Sequence, residues 1–98
     1  MASFDRSVKI LKALGHPIRF QIVQFLLDKP HCVCELKEHL DFSQPNLSQH
    51  LKILKEAGII DSEKVGIQTH YHICLTHTQA LLEAAEAMGD EILENMLS

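Results

Sequence analysis

Cys32 and Cys34, separated only by Val33, are the residues in this chain whose type and spacing most plainly carry chemistry. Thiolates are soft metal ligands and good nucleophiles, so a C-x-C pair can chelate a thiophilic ion or exchange with other thiols. With Cys74 the chain holds three cysteines, and an odd count in a cytosolic protein argues for reduced, reactive or metal-binding thiols over a disulfide framework. Geometry adds a condition. Residues i and i+2 of an extended segment point the same way, whereas in a helix they lie about 200° apart. Both sulfurs can grip one ion only if the chain is non-helical at Cys32 or if a first helical turn deforms. Seven histidines also invite a metal reading. His31 and His39 flank the pair as auxiliary ligands, while His70 and His72 share one strand face with His77 beyond, where a solvated face is the simpler explanation.

A second constellation lies in FSQPNLSQHLKILKEAGII, from Phe42 to Ile60. Ser43 suits an N-cap, Pro45 a first helical turn, and Gly58 the left-handed residue that ends a helix. Leu47, Leu51 and Leu54 recur at i, i+4 and i+7 and form an apolar stripe that must be buried. At about 100° per residue the opposite face carries Pro45, Gln49, Lys52 and Glu56, with Asn46 and Ser48 on its flanks and Gln44 at the tip. Amides and hydroxyls near a helix N-terminus can reach base edges in a major groove, and lysines one turn on can reach phosphates. An ordinary surface helix shares this pattern, so the neighbouring segments must decide.

Upstream, Cys34 to Leu40 is too short to stand alone, and a tight turn at Asp41-Phe42 joins it to the reading helix, which predicts a helix-turn-helix over 34–57. Downstream, two β-rich runs around Gly66 predict a hairpin wing over 59–75 with Lys64 near its tip, Thr69, Tyr71 and Ile73 alternating against His70, His72 and Cys74. Gly15-His16-Pro17 separates two earlier helices, and a short strand is expected around His31. Thr78 to Leu97 reads as one long helix with Leu81, Leu82, Ala85, Met88, Ile92 and Met96 along a broad apolar side. The expected fold is mainly α with a small β-hairpin, a single winged helix-turn-helix domain over 1–98 with added terminal helices at 3–14 and 78–97. Those helices have more apolar face than so small a domain can cover. A symmetric homodimer packing Phe4, Val8, Leu11 and the last helix across a two-fold axis would cover it. The alternative folds both helices back on their own chain.

Net charge is −4, which runs against the usual basic balance of nucleic-acid binders. Distribution softens the objection, because the last helix holds Glu83, Glu86, Asp90, Glu91 and Glu94 with no Lys or Arg, leaving the remainder close to neutral. Modest non-specific binding with a shallow salt dependence is expected, with specificity supplied by polar contacts. No segment is apolar enough to span a membrane and MASFDRSVKI lacks a signal-peptide core, so a cytoplasmic location is expected.

The assembled pattern resembles the ArsR/SmtB family of dimeric, metal-responsive transcriptional repressors. The resemblance runs through LKALGHPIRFQIV at 11–23, CVCEL at 32–36, SQPNLSQHLKILKEAGII at 43–60 and HYHICL at 70–75. It implies a repressor that sits on an operator overlapping a promoter and lets go when an effector binds. By position it implies DNA contacts at Gln44, Ser48, Gln49 and His50, supported by Lys52 and the wing. Ser43 and Asn46 at the helix start and Lys64 on the wing complete the candidate DNA-binding set. The DNA partner would be a double-stranded inverted repeat, with half-sites about one helical turn apart.

The resemblance also bears on what is sensed. Arsenic and antimony sensors carry a similar CVC(D/E)L at this place, and soft thiolates suit As(III), Sb(III), Cd(II) and Pb(II). The third cysteine that some members place three residues after the pair is Lys37 here, so Cys74 is the remaining thiol for a three-sulfur site. Pairing of the strand near His31 with the second wing strand would bring Cys74 close, although a free Cys also serves as a small buried hydrophobe. For the family's zinc site only His77 and Glu91 match, with Leu75 and Met88 where an acid and a second histidine are expected. The favoured reading is therefore a repressor released by a thiophilic ion at Cys32 and Cys34. A redox or reactive-sulfur sensor linking Cys74 to Cys32 or Cys34 is the alternative, and a protein-binding winged module the third reading. No organic cofactor and no enzymatic activity are expected, since no nucleophile, base and orienting acid converge and no Gly-rich phosphate loop is present.

Overall fold

The computed structural model describes residues 2–40 and 45–98. Its elements are α1 (Ala2–Leu14), α2 (Pro17–Leu26), β1 (His31–Cys32), α3 (Val33–Leu40), α4 (Leu47–Glu56), β2 (Ile60–Val65), β3 (Gln68–Ile73) and α5 (Thr78–Leu97). Chain reversal between α1 and α2 is secured by side chains that follow Gly15. His16 Nδ1 accepts from the Ile18 N–H at 3.1 Å, capping α2, and Pro17 occupies the first helical position where a missing N–H costs nothing. Arg19 donates to the carbonyls of Ala13 and Lys12 at the end of α1, the Lys12 carbonyl also accepting the Gly15 N–H.

Helix α2 runs through the centre of the core. Its Ile22, Val23 and Leu26 are buried with Leu36 and Leu40 of α3, the Leu47, Leu51 and Leu54 stripe of α4, and Ile59, Ile60 and Leu82. The leucine spacing in α4 thus does what its period predicted. The sheet order is β1-β3-β2, all antiparallel, with His31 opposite Tyr71 and Cys32 opposite His70. Being central, β3 is covered in part on both faces, so Thr69 to Ile73 are all half-buried and the expected in-out alternation is not seen. The wing closes at Val65 opposite Gln68, with the left-handed residue, Gly66 (φ 66°), first in a two-residue loop.

The recognition helix starts later than the sequence suggests. Its cap residue is Asn46, in the left-handed region at φ 66°, and the first helical residue is Leu47. Pro45 therefore lies before the helix and not in its first turn. Proline followed by a left-handed Asn is turn chemistry, and that preference outweighs proline's tolerance for a helix start. Ser43, expected as the N-cap, and Gln44 lie outside the described residues. The C-terminal end matches expectation. The Gly58 N–H bonds to the Lys55 carbonyl and the Ile59 N–H to the Leu54 carbonyl, with Gly58 at φ 83°, which is a Schellman ending.

Helix α5 buries only Thr78 and Leu82 on its own chain. Met88, Ile92, Leu93, Met96 and Leu97 are each more than half exposed, as are Phe4 and Leu11 of α1. The alternative, in which both terminal helices fold back to cover their apolar faces on their own chain, is not what the structure shows.

Candidate DNA interface and thiol site

The thiol pair sits where a strand becomes a helix. Cys32 belongs to β1 and is 4 % exposed, whereas Cys34 lies in the first turn of α3 and is exposed. Cys32 is non-helical, so the condition for bringing both sulfurs together is met, and the two form a disulfide with Cα atoms 5.3 Å apart. The cysteine count argued for reduced or metal-binding thiols over a disulfide framework, whereas two of the three are linked here. Only Cys74 is free.

Cys32 is also the cap of α3. Its Sγ accepts the Glu35 N–H at 3.4 Å, and the Glu35 carboxylate accepts the Cys32 N–H at 3.1 Å. This is a reciprocal capping box with a sulfur in place of the usual Ser or Thr oxygen. Accepting the Cys32 N–H, and then interacting with His31, holds the Glu35 carboxyl below the ordinary glutamate range. His31 is buried, its Nε2 3.0 Å from Asp28 Oδ1 and its Nδ1 3.3 Å from Glu35 Oε2, the second contact too poorly aligned to count as a hydrogen bond. The hydrogen bond with His31 likewise holds Asp28 low. Phe25 stacks on His31 and on His39, with ring centroids 4.2 Å apart in each case. Both ring nitrogens of His31 face carboxylates, so it braces the cap instead of serving as a spare ligand. On the outer side, Gln68 Nε2 at the base of the wing loop donates to Cys34 Sγ at 3.9 Å.

Strand register separates Cys74 from the pair. Cys32 lies opposite His70 and Cys34 touches Gln68, both towards the wing tip, while Cys74 follows the other end of β3 and donates its N–H to Ile59. Four residues of strand put Cys74 roughly 13 Å beyond the Cys32 position. The three-thiolate site and the Cys74-to-Cys32 or Cys74-to-Cys34 link are therefore corrected. Burial, then the charge of Asp61, pushes the Cys74 thiol above its ordinary pKa, which makes it a weaker nucleophile. Among the described residues no group of three His, Cys, Asp or Glu side chains is placed to hold a metal ion, His70, His72 and His77 included.

On the reading face, Asn46, Ser48, Gln49 and Lys52 are exposed on the side of α4 opposite its leucines, and Lys64 is exposed on β2. His50 is not with them. Its Nδ1 lies 3.3 Å from Arg19 Nη1 and its ring 4.6 Å from that of His16, so it ties α4 to the start of α2. Burial, then the nearby His16 and Arg19, lowers the His50 pKa, favouring the neutral ring. His50 is among the DNA contacts that the family resemblance implies by position; it lies about 100° of helix from the exposed Gln49, enough to turn it inward. Lys55, not singled out from the sequence, bridges α4 to the wing through Ser62 Oγ at 2.9 Å and Asp61 at 3.7 Å.

Comparisons with known proteins also find a helix-turn-helix regulator. Residues 16–62 match the family described as bacterial regulatory protein, arsR family. The HTH-type transcriptional repressor SmtB of Mycobacterium tuberculosis is 37% identical over 90 residues, 91% of this chain and 67% of that protein. The chain belongs to the ArsR family. The arsenical resistance operon repressor of Staphylococcus xylosus is 37% identical to this ArsR-family chain over 71 residues, 72% of the chain and 68% of the relative. Among solved structures, the homodimeric winged helix-turn-helix DNA-binding domain Mb0332 of Mycobacterium bovis superposes with a TM-score of 0.82 at 24% identity, covering 96% of this chain and 87% of that one. The family and these curated relatives are DNA-binding transcriptional regulators and not enzymes.

Proposed function

We propose that this ArsR-family chain is a homodimeric transcriptional repressor that holds an inverted-repeat operator and releases it when a thiophilic ion, As(III), Sb(III), Cd(II) or Pb(II), binds the reduced Cys32 and Cys34. Ser48, Gln49 and Asn46 would read base edges, with Ser43 and Gln44 before the helix and Lys52 and Lys64 on phosphates. The observation that carries the reading is the sulfur capping box. An ion gripped by both sulfurs would draw the Cys32 sulfur out of the position from which it accepts the Glu35 N–H, so ligation would weaken the start of α3, the helix that supports α4. Two soft sulfurs fit a thiophilic ion as a chelate, with remaining positions open to water or a small thiol. The repressor relatives, one of them from an arsenical resistance operon, support this choice.

The test is a titration of reduced protein with As(III), Cd(II) and Zn(II), following thiolate absorbance and release of a fluorescent inverted-repeat promoter fragment together. Release by As(III) or Cd(II) that disappears in Cys32→Ser and Cys34→Ser is the expected result. Serine is itself a good cap, so Cys32→Ser should still bind DNA, and an unchanged metal response in that variant would refute the assignment.

A further inference from the structure

A disulfide between residues i and i+2 would distort most helix entrances, yet here it joins Cys32 to Cys34 with α3 regular from Val33 onward and both capping-box hydrogen bonds intact. The reason is position. Cys32 is a strand residue, and the Cα separation of 5.3 Å lies within the span that disulfides ordinarily bridge. The two sulfurs also differ in access, Cys34 being exposed and Cys32 buried, and no other thiol is within reach.

We propose that Cys32 and Cys34 form a reversible dithiol–disulfide pair whose oxidation leaves DNA binding in place while removing both thiolates from the effector. The oxidised protein is then a repressor that no longer answers to thiophilic ions. This rests on the proposed function for the identity of the effector site, but not for the disulfide or for retained DNA binding. A low-molecular-weight disulfide is a sufficient oxidant. The exposed Cys34 thiolate attacks one of its sulfurs and expels one thiolate; Cys32 then attacks the Cys34 sulfur of the mixed disulfide and expels the second. The two protein thiol protons end on the two released small thiols, and the two electrons lost by the protein reduce the oxidant.

The full chain is treated with glutathione disulfide and compared with its dithiothreitol-reduced form. The expected product has lost two hydrogen masses, retains one free thiol at Cys74, and maps to a Cys32–Cys34 link; a link through Cys74 or between chains overturns the proposal. Oxidised and reduced forms should bind an inverted-repeat DNA fragment within about threefold of one another and show equal amide-exchange protection along Val33–Leu40. An affinity loss beyond about tenfold, or loosening of α3, overturns it. Cd(II) should give a thiolate band and DNA release only in the reduced form, with dithiothreitol restoring both, and release of DNA from the oxidised form by Cd(II) also overturns it. Cys74→Ser should behave as the parent, whereas Cys34→Ser should not form the internal link. If the reduced protein takes up no Cd(II), the effector assignment fails, while mapping, DNA affinity and amide exchange still decide the redox pair.

Discussion

At the scale of single residues, Cys32 does two jobs that substitution can separate. As the cap of α3 its sulfur can be replaced by a hydroxyl but not by a methyl group. Cys32→Ala should lose about 1 kcal/mol of unfolding free energy and Cys32→Ser much less, read from urea midpoints of the reduced proteins. His50 sets a pH dependence of known sign. Its pKa is lowered in the fold by burial and by the neighbouring His16 and Arg19, so the unfolded chain binds its proton more readily. The stability it contributes is present above the ordinary histidine pKa of about 6.5 and is lost as pH falls through the lower folded value. Asp28 and Glu35, also held low, add loss of the same sign at still lower pH. Thermal unfolding from pH 7.5 to 5 should show the decline, and His50→Gln should flatten its upper part. A steeper decline in that variant would count against the neutral-ring assignment.

Among elements, α4 and the wing act as one reading unit because Lys55 bonds to Ser62 and the Schellman turn at Gly58 sets the angle between them. A Cβ at Gly58 would meet no atom within 4 Å, so Gly58→Ala tests conformation alone; at φ 83° it should cost about 1–2 kcal/mol by chemical denaturation. On the exposed face, Gln49→Ala should weaken operator binding by about 1–3 kcal/mol and relax base preference at one position. Lys52→Ala or Lys64→Ala should weaken all sequences alike and reduce the salt slope by about one unit. Binding isotherms at several salt concentrations separate the two behaviours. A Lys52 variant that changes sequence preference would reassign that residue from phosphate to base.

For the whole molecule, the exposed apolar residues on α1 and α5 lie on the first and last helices, and a homodimer would cover them. Ile92→Asp with Met96→Asp should give a folded monomer by sedimentation with operator affinity down at least about tenfold, because an inverted repeat needs two reading heads held at fixed spacing. A variant that stays dimeric would move the interface elsewhere. The acidic residues of α5 sit on the same helix, far in sequence from α4, so the net charge of −4 is compatible with a reading face of polar side chains.

Local pattern was sufficient for the order and type of the elements, though not for where α4 begins. The leucine period of α4, the glycine that ends it and the hairpin around Gly66 were all legible from sequence because each depends on neighbours a few residues away. The polar face of α4 followed from the stripe opposite. Tertiary structure decided what depends on partners distant in sequence. Whether Cys74 could meet Cys32 turned on strand register, which places His70 opposite Cys32 and carries Cys74 to the far end of β3. Likewise, whether His50 faced DNA turned on Arg19 and His16. The meeting of C-x-C with a strand-to-helix junction, where one sulfur caps a helix and bonds its neighbour, needed both levels. The spacing and the short strand near His31 were visible in the sequence, but only the fold showed the Cys32 sulfur capping α3 and bonded to Cys34.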